Sequence, residues 1–229
     1  TKFVWAGEFL LGRALTGGIQ SWNPVTEKKG KTLTGRLYSG DYLYMAASPG
    51  FGYVAAAGTE NDRLENPSLW DVGAQKKIAD IHPLPGSGNV IKNIVFTTDG
   101  EQILTLEGIQ NSNDSRLITA RDRTSPNQVT MFFETIDPVR VDEDAYLRPN
   151  FGYSADRGIF FVRTLDPETL IESVEVFDPT TGEQVQKISG PPQHQISPSD
   201  TGRFLKVESV LYPQETSSVT YRSLRYKGQ

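Results

Sequence analysis

Two side chains in this sequence could do imidazole chemistry: His82, before Pro83, and His194, between Gln193 and Gln195. An imidazole beside carboxylates can act as a general base or hold a divalent ion that activates water. No spacing around either histidine demands such a site, and both read as loop residues. Acidic side chains offer a second possibility. They cluster at Glu60, Asp62 and Glu65 around Arg63, at Asp114 near Arg116, and at Asp166, Glu168 and Glu172. Asp62, Asp114 and Asp166 could give oxygen ligands to a cation, although no stretch follows the EF-hand pattern. Together the clusters would make a negative surface that attracts a basic partner or a cation.

Other chemistry has no anchor. There is no Gly-x-Ser-x-Gly elbow, no His-Glu-x-x-His pair and no phosphate-binding loop. Gly50-Phe51-Gly52 and Gly86-Ser87-Gly88 read as turn glycines. Cysteine is absent, which removes disulfides and thiolate metal sites and fits a reducing compartment. The expectation is therefore no catalytic residue, no metal and no cofactor.

The 229 residues carry a net charge of −5. A nucleic-acid surface needs a basic stripe, and the nearest candidate is Lys28, Lys29 and Lys31 around Gly30, read as a solvated hairpin tip. No apolar run approaches the roughly 18 residues of a membrane helix. The first residue is threonine, so the chain reads as processed or as an excised piece of a longer one.

The elements that must position these residues are short strands. Helical periodicity is poor, and 14 prolines and 21 glycines are spread along the chain. Two signals alternate. The first is a polar turn before an apolar strand: Ser48–Gly52 before Tyr53-Val54-Ala55, Thr98–Glu101 before Gln102-Ile103-Leu104, Ser154–Gly158 before Ile159–Val162, and Ser197–Gly202 before Arg203-Phe204-Leu205. Gly and Asp there suit tight hairpins. The second is a strand closing on an aromatic and a polar turn. It appears at Gly18–Pro24 with Trp22, at Pro67–Val72 with Trp70, at Val174–Glu183 with Phe177 and at Val219–Ser223 with Tyr221. A weak copy at Leu117–Asp122 has Arg121 in the aromatic's place. Gly52, Gly100, Gly158 and Gly202 recur at roughly 44–58 residues, near the period of four-stranded propeller blades. A β-sandwich also has evenly spaced short strands, but it would not keep two turn signals in phase. The fold class is read as an all-β propeller with about five four-stranded blades visible. In each blade the first turn joins strands a and b and the second joins c and d.

Trp70-Asp71 and Phe177-Asp178-Pro179-Thr180-Thr181-Gly182 resemble the strand-c ending of the degenerate WD40 and WD40-like repeat families. That resemblance implies a disc-like scaffold whose b–c and d–a connections share a ligand-bearing face. The Gly-His dipeptide of those families is missing. Their His–Asp–Ser/Thr–Trp bracing is therefore not expected, and packing and backbone ladders are expected to hold most of the blades. Trp22, Trp70 and Phe177 are expected to pack between blades, with Trp5, Phe51 and Tyr212 candidates for exposure.

One domain is expected over residues 1–229, whole or as a fragment, with blades near 1–34, 41–81, 91–133, 147–189 and 194–227. The first is expected to open inside strand b at Phe3–Ala6 and so to lack strand a. The last lacks a clear strand d after Tyr226. Both point to part of a larger ring, with seven blades a candidate count.

The b–c connections at 59–66, 108–115, 165–172 and 212–217 are longer than a hairpin needs. The d–a connection 134–144 adds Asp137, Asp142 and Glu143 against Arg140. The resulting expectation is a cytoplasmic, non-enzymatic interaction scaffold. Glu60, Asp62, Arg63, Glu65, Asp114, Asp166, Glu168 and Glu172 would meet a protein partner of basic character, with no nucleic acid and no membrane span, inside a larger chain or complex. The alternatives are a propeller hydrolase or lactonase, which needs His82 or His194 clustered with two carboxylates, and a periplasmic ligand-binding propeller.

Overall fold

The computed structural model describes residues 3–13, 18–33, 44–48, 50–60, 63–97, 99–109, 115–135, 139, 151–154, 159–178, 181–190, 194–198, 204–209 and 219–223. Among them every regular element is a strand. The first sheet runs β1 (Phe3–Ala6), β2 (Phe9–Arg13), β3 (Ile19–Asn23) and β4 (Lys28–Leu33) in sequential order. Next come β5 (Tyr44–Ala47), β6 (Tyr53–Ala57), the short β7 (Thr59–Glu60) and β8 (Arg63–Leu64), β9 (Ser68–Asp71) and β10 (Lys76–Asp80). β5, β6, β9 and β10 form the second sheet, while β7 and β8 pair only with each other. The third sheet is β11 (Val90–Phe96), β12 (Gln102–Gly108), β13 (Ser115–Asp122) and β14 (Val129–Glu134). The fourth is β15 (Phe151–Ser154), β16 (Ile159–Leu165), β17 (Glu172–Phe177) and β18 (Gln184–Ser189). Three strands form the last described sheet: β19 (His194–Pro198), β20 (Phe204–Ser209) and β21 (Val219–Ser223).

Two expectations are corrected in the first sheet. Phe3–Ala6 is strand a, not strand b, because Gly7 turns the chain at φ 58° and Phe9 returns to pair with Ala6. A glycine takes that left-handed turn at no steric cost, so the turn needs none of the Asp and Pro that mark the later ones. Lys28 and Lys29 are not at a hairpin tip. They lie in β4, where Lys29 faces Trp22 and Lys28 faces Asn23. The turn sits earlier, and Asn23 caps it by accepting the backbone N–H groups of Val25 and Thr26 at 3.0 Å each.

The chain divides into two compact units, Thr1–Ser112 with Ile118–Phe132, and Asn113–Leu117 with Phe133–Gln229. In the first unit the second sheet is buried on both faces. Val54, Ala56 and Trp70 pack with Ala6, Leu11, Ile19 and Leu33 of the first sheet. Ala55 and Leu69 turn the other way, into a cluster with Ile91, Ile94, Phe96 and Ile103 of the third. That is why β6 reads as an unbroken apolar run rather than an alternation, and why alanines fill it where sheets come close. The a–b turns also touch. A side chain on Gly100, which has φ 69°, would run into Ser48 and the ring of Phe51.

In the second unit β16 is likewise buried on both faces. Ile159 and Phe161 join Val174 and Val176 on one side. Phe160 and Phe177 lie opposite each other in register on the other side, in contact with Phe133 of β14.

Candidate interaction surface

The connections expected to carry function are built with unequal care. In the first unit, the b–c connection of the second sheet is a structured hairpin. Thr59 pairs with Leu64 and Glu60 with Arg63, and the Glu65 N–H donates to the Gly58 carbonyl at 2.9 Å to close its base. β8 rests against β11 of the next sheet. Glu60, Arg63 and Glu65 are therefore held in one small element, with Glu65 half-buried. Asp62 lies outside the described residues, as do Asp114, Asp137, Arg140, Asp142, Glu143 and the loop containing Tyr212.

Beside this hairpin a polar cluster ties three connections together. The Asn66 amide nitrogen lies 3.0 Å from His82 Nδ1, the His82 N–H donates to Asn127 Oδ1 at 2.9 Å, and Asn127 Nδ2 donates to the Asp80 carbonyl at 2.9 Å. Asp80 is engaged in turn by Ser68 Oγ at 2.7 Å and Lys77 Nζ at 2.6 Å. Partial burial works against its charge, but those two donors outweigh it and hold its carboxyl below the usual range. His82 thus meets two amides, not the pair of carboxylates that a hydrolytic centre needs. Among the described residues no three His, Asp or Glu side chains converge as a metal site would require. For His194 the structure gives a backbone position in β19.

The d–a connection after β10 is fastened from inside. Glu107 is fully buried, and its Oε2 accepts the Leu84 N–H at 2.7 Å. Its Oε1 accepts from Arg121 at 2.7 Å, Thr119 at 2.9 Å and Thr105 at 3.0 Å. Arg121 is also fully buried. Its Nε donates to Thr119 Oγ1 and its third nitrogen to the Pro126 carbonyl. A buried ionic network therefore braces this sheet, beside the packing and ladders expected to hold most blades. Its signal in the sequence is a polar residue two places before the strand-c aromatic. Gln20 accepts from Thr32, Ser68 donates to Asp80, and Glu175 accepts from Thr164. Thr119 stands at the same place before Arg121.

In the second unit the 166–171 connection is a capped turn. Asp166 Oδ1 accepts the N–H groups of Glu168 at 2.8 Å and Thr169 at 3.1 Å. The Leu170 N–H donates to the Asp166 carbonyl at 2.9 Å. These donors, the Thr169 N–H first, hold the Asp166 carboxyl below the usual range. Asp166 is thus a turn-former, and Glu168 beside it is exposed. Glu172 corrects the expectation of a loop contact: it is 2% exposed, begins β17, and lies 3.8 Å from Arg163 Nε. The turn should behave accordingly. A depressed folded-state pKa stabilises above the unfolded value and is lost as pH falls through the folded one. Protection of the Glu168 and Thr169 amides, relative to the intrinsic exchange rate at the same pH, should therefore be flat from neutral pH to mild acid and fall only below the ordinary carboxylate range. Asp166→Ala should lower that protection by about twofold to thirtyfold wherever the carboxylate is charged, the span typical of a lost side-chain cap, and should converge with the unsubstituted protein once the carboxyl is protonated. Asp166→Asn should retain most of the protection, and equal exchange in all three proteins would show that the cap is idle.

Trp70 and Phe177 are buried as expected, but Trp22 is not: it is 40% exposed. Trp5 and Phe51 are exposed too, and Phe51 lies beneath the Arg123 guanidinium, which also sits 4.5 Å from the centre of the Tyr53 ring.

No protein-family model matches the chain, and no curated protein sequence does. Solved structures do match. Hydrazine synthase of Kuenenia stuttgartiensis aligns with a TM-score of 0.66 at 15% identity, over 97% of this chain and 62% of that one. A chain of a mitotic checkpoint complex aligns at 0.58 with 12% identity, over 95% of this chain and 62% of that one. The chain thus spans under two thirds of the length of either. With 776 solved chains matched in all, the likeness is to a widely used architecture and carries the fold alone. Four-stranded antiparallel sheets packed face to face, together with these matches, make it a β-propeller of several blades.

Proposed function

We propose that this chain is a non-enzymatic interaction scaffold that presents acidic b–c connections to a basic protein partner, in the cytoplasm and within a larger complex. The observation that carries this reading is the β7–β8 hairpin. A connection that needs only to join two strands has no reason to form a second ladder or to rest on the neighbouring sheet. A binding loop gains from such rigidity, because less conformational freedom is lost when a partner docks. The buried Glu107 that fixes the neighbouring d–a connection serves the same end. The absence of cysteine supports the compartment, and no helix among the described residues could cross a membrane. The acidic excess supports the partner's sign. The partner's encounter with such loops would be steered by charge and weakened by salt.

A short lysine-rich peptide is the test probe. Its affinity should fall steeply between low and physiological salt. The double change Glu60→Lys and Asp62→Lys should lower it about tenfold, the order that a like-charge juxtaposition of one or two kcal/mol gives. Unchanged affinity in that variant would remove the loops from the reading. Steady turnover of an ester or lactone, lost in His82→Ala, would overturn the non-enzymatic assignment outright.

A further inference from the structure

Asp99-Gly100 is the one Asp-Gly pair in the sequence, and there is no Asn-Gly pair. Glycine has no Cβ to shield its backbone nitrogen. That nitrogen can attack the side-chain carboxyl carbon of the aspartate before it and close a five-membered succinimide. The Gly100 N–Asp99 Cγ bond forms, and the carboxyl hydroxyl and the amide hydrogen leave as water. A second water then reopens the ring. Opening at the backbone carbonyl leaves an isoaspartyl link, in which the main chain runs through Cβ and Cγ and is longer by one methylene. Nothing is oxidised or reduced, and water is the only reagent. Asn111-Ser112 and Asp114-Ser115 carry a Cβ on the attacking residue and are hindered by it.

The fold exposes this pair and restrains it at once. Asp99 is exposed in the a–b turn of the third sheet. Its Oδ1 accepts the Thr97 hydroxyl at 2.6 Å and the Glu101 N–H at 3.0 Å. The Gly100 N–H donates to the Thr97 carbonyl at 2.8 Å. Both reacting groups are therefore tied to Thr97. Thr97 is itself fixed: it is 3% exposed, and its hydroxyl accepts the Gln102 N–H at 3.0 Å. Gly100 is hemmed in by Ser48 and Phe51 of the second sheet. Ring closure thus waits on local opening of the turn, and its rate follows the open fraction.

We infer that Asp99-Gly100 is a self-modification site, converted to isoaspartate at a rate that the Thr97 side chain governs. The product does not fit the turn. The added methylene lengthens a link whose ends are held by the Thr97 N–H on the Gln102 carbonyl at 3.0 Å and by the Arg123 N–H on the Glu101 carbonyl at 2.9 Å. The Glu101 carboxylate also meets the Arg123 guanidinium at 3.4 Å, and that guanidinium lies over Phe51 and Tyr53. Conversion therefore loosens the seam at which Arg123 joins the third sheet to the second.

The test is prolonged incubation of the full polypeptide in neutral buffer at body temperature, with isoaspartate located by peptide mapping. Isoaspartate should accumulate at Asp99, more slowly than in the free peptide Ile94–Leu104. Thr97→Val keeps the shape and removes the hydroxyl, and it should speed conversion about tenfold, as loss of a hydrogen bond to a charged group raises the open fraction. Exchange of the Gly100 amide should rise by the same factor while exchange in β16 stays unchanged, which separates opening of the turn from unfolding of the chain. Asp99→Glu should give no product, because the larger ring closes far more slowly. An intact chain free of isoaspartate at Asp99, when the peptide converts, overturns the inference. Equal rates in the unsubstituted protein and Thr97→Val overturn it as well.

Discussion

Arg121→Ala is expected to destabilise the protein by about 3–5 kcal/mol, the usual cost of removing one partner from a buried ion pair. The loss reaches that of a large core truncation because of what remains. Glu107, fully buried, would be left with only two threonine hydroxyls and the Leu84 N–H as partners. Urea unfolding should show the loss as a lowered midpoint with little change in slope. Glu107→Ala should cost a similar amount and should also speed exchange of the Leu84 amide, since that N–H loses its acceptor. The double replacement Glu107→Leu with Arg121→Met should regain much of either loss, because a well-packed apolar pair of similar volume avoids the desolvation cost. If Arg121→Ala cost under about 1 kcal/mol, in the range of exposed ion pairs, the network would have no structural role.

That network shows where sequence reading ran out. The strands were legible because turn chemistry is local: a Gly or Asp at a hairpin tip announces itself without help from the rest of the chain. So was strand c, because a strand closing on a large ring and a polar turn recurs in phase. Arg121 broke the phase and read as a weakened copy. In the structure it keeps the aromatic's place and exchanges ring packing for ionic contacts, and its partner Glu107 sits on a different strand. Pairing across strands is decided by register, which no single segment states. Trp22 failed in the opposite sense. Its local pattern matched that of Trp70, yet burial depends on what lies across the sheet face, and that differs between the two. Glu172 read as part of an acidic loop because its neighbours are polar, while its pairing with Leu165 draws it into the sheet. Phe3–Ala6 was placed one strand late because the turn after it relies on glycine alone.

The ring cluster of the second unit tests the same point about faces. Phe132 and Phe133 are adjacent in β14 and identical in type. Alternation sends the first to solvent at 60% exposure and the second inward at 9%. Phe160 sits at the centre of the inward group. Its ring centre lies 5.3 Å from Phe133 and 5.8 Å from Phe151, both edge-on, and 6.5 Å from Phe177. Edge-to-face geometry adds to the burial of each ring, and Phe160 has no exposed surface. Phe160→Ala should therefore cost about 3–5 kcal/mol, the range for truncating a fully buried phenylalanine. Amide exchange in β16 and β17 should accelerate, with Val162 and Phe177 among the amides affected. Phe133→Ala should follow closely, because it removes the edge contact to Phe160 and the tilted stack on Phe177 together. Phe132→Ala, one residue away, should stay within about 0.5 kcal/mol as exposed substitutions do. Equal losses at Phe132 and Phe133 would mean that the strand does not alternate as described. The seating of Phe177 on Phe133 would then have to be given up.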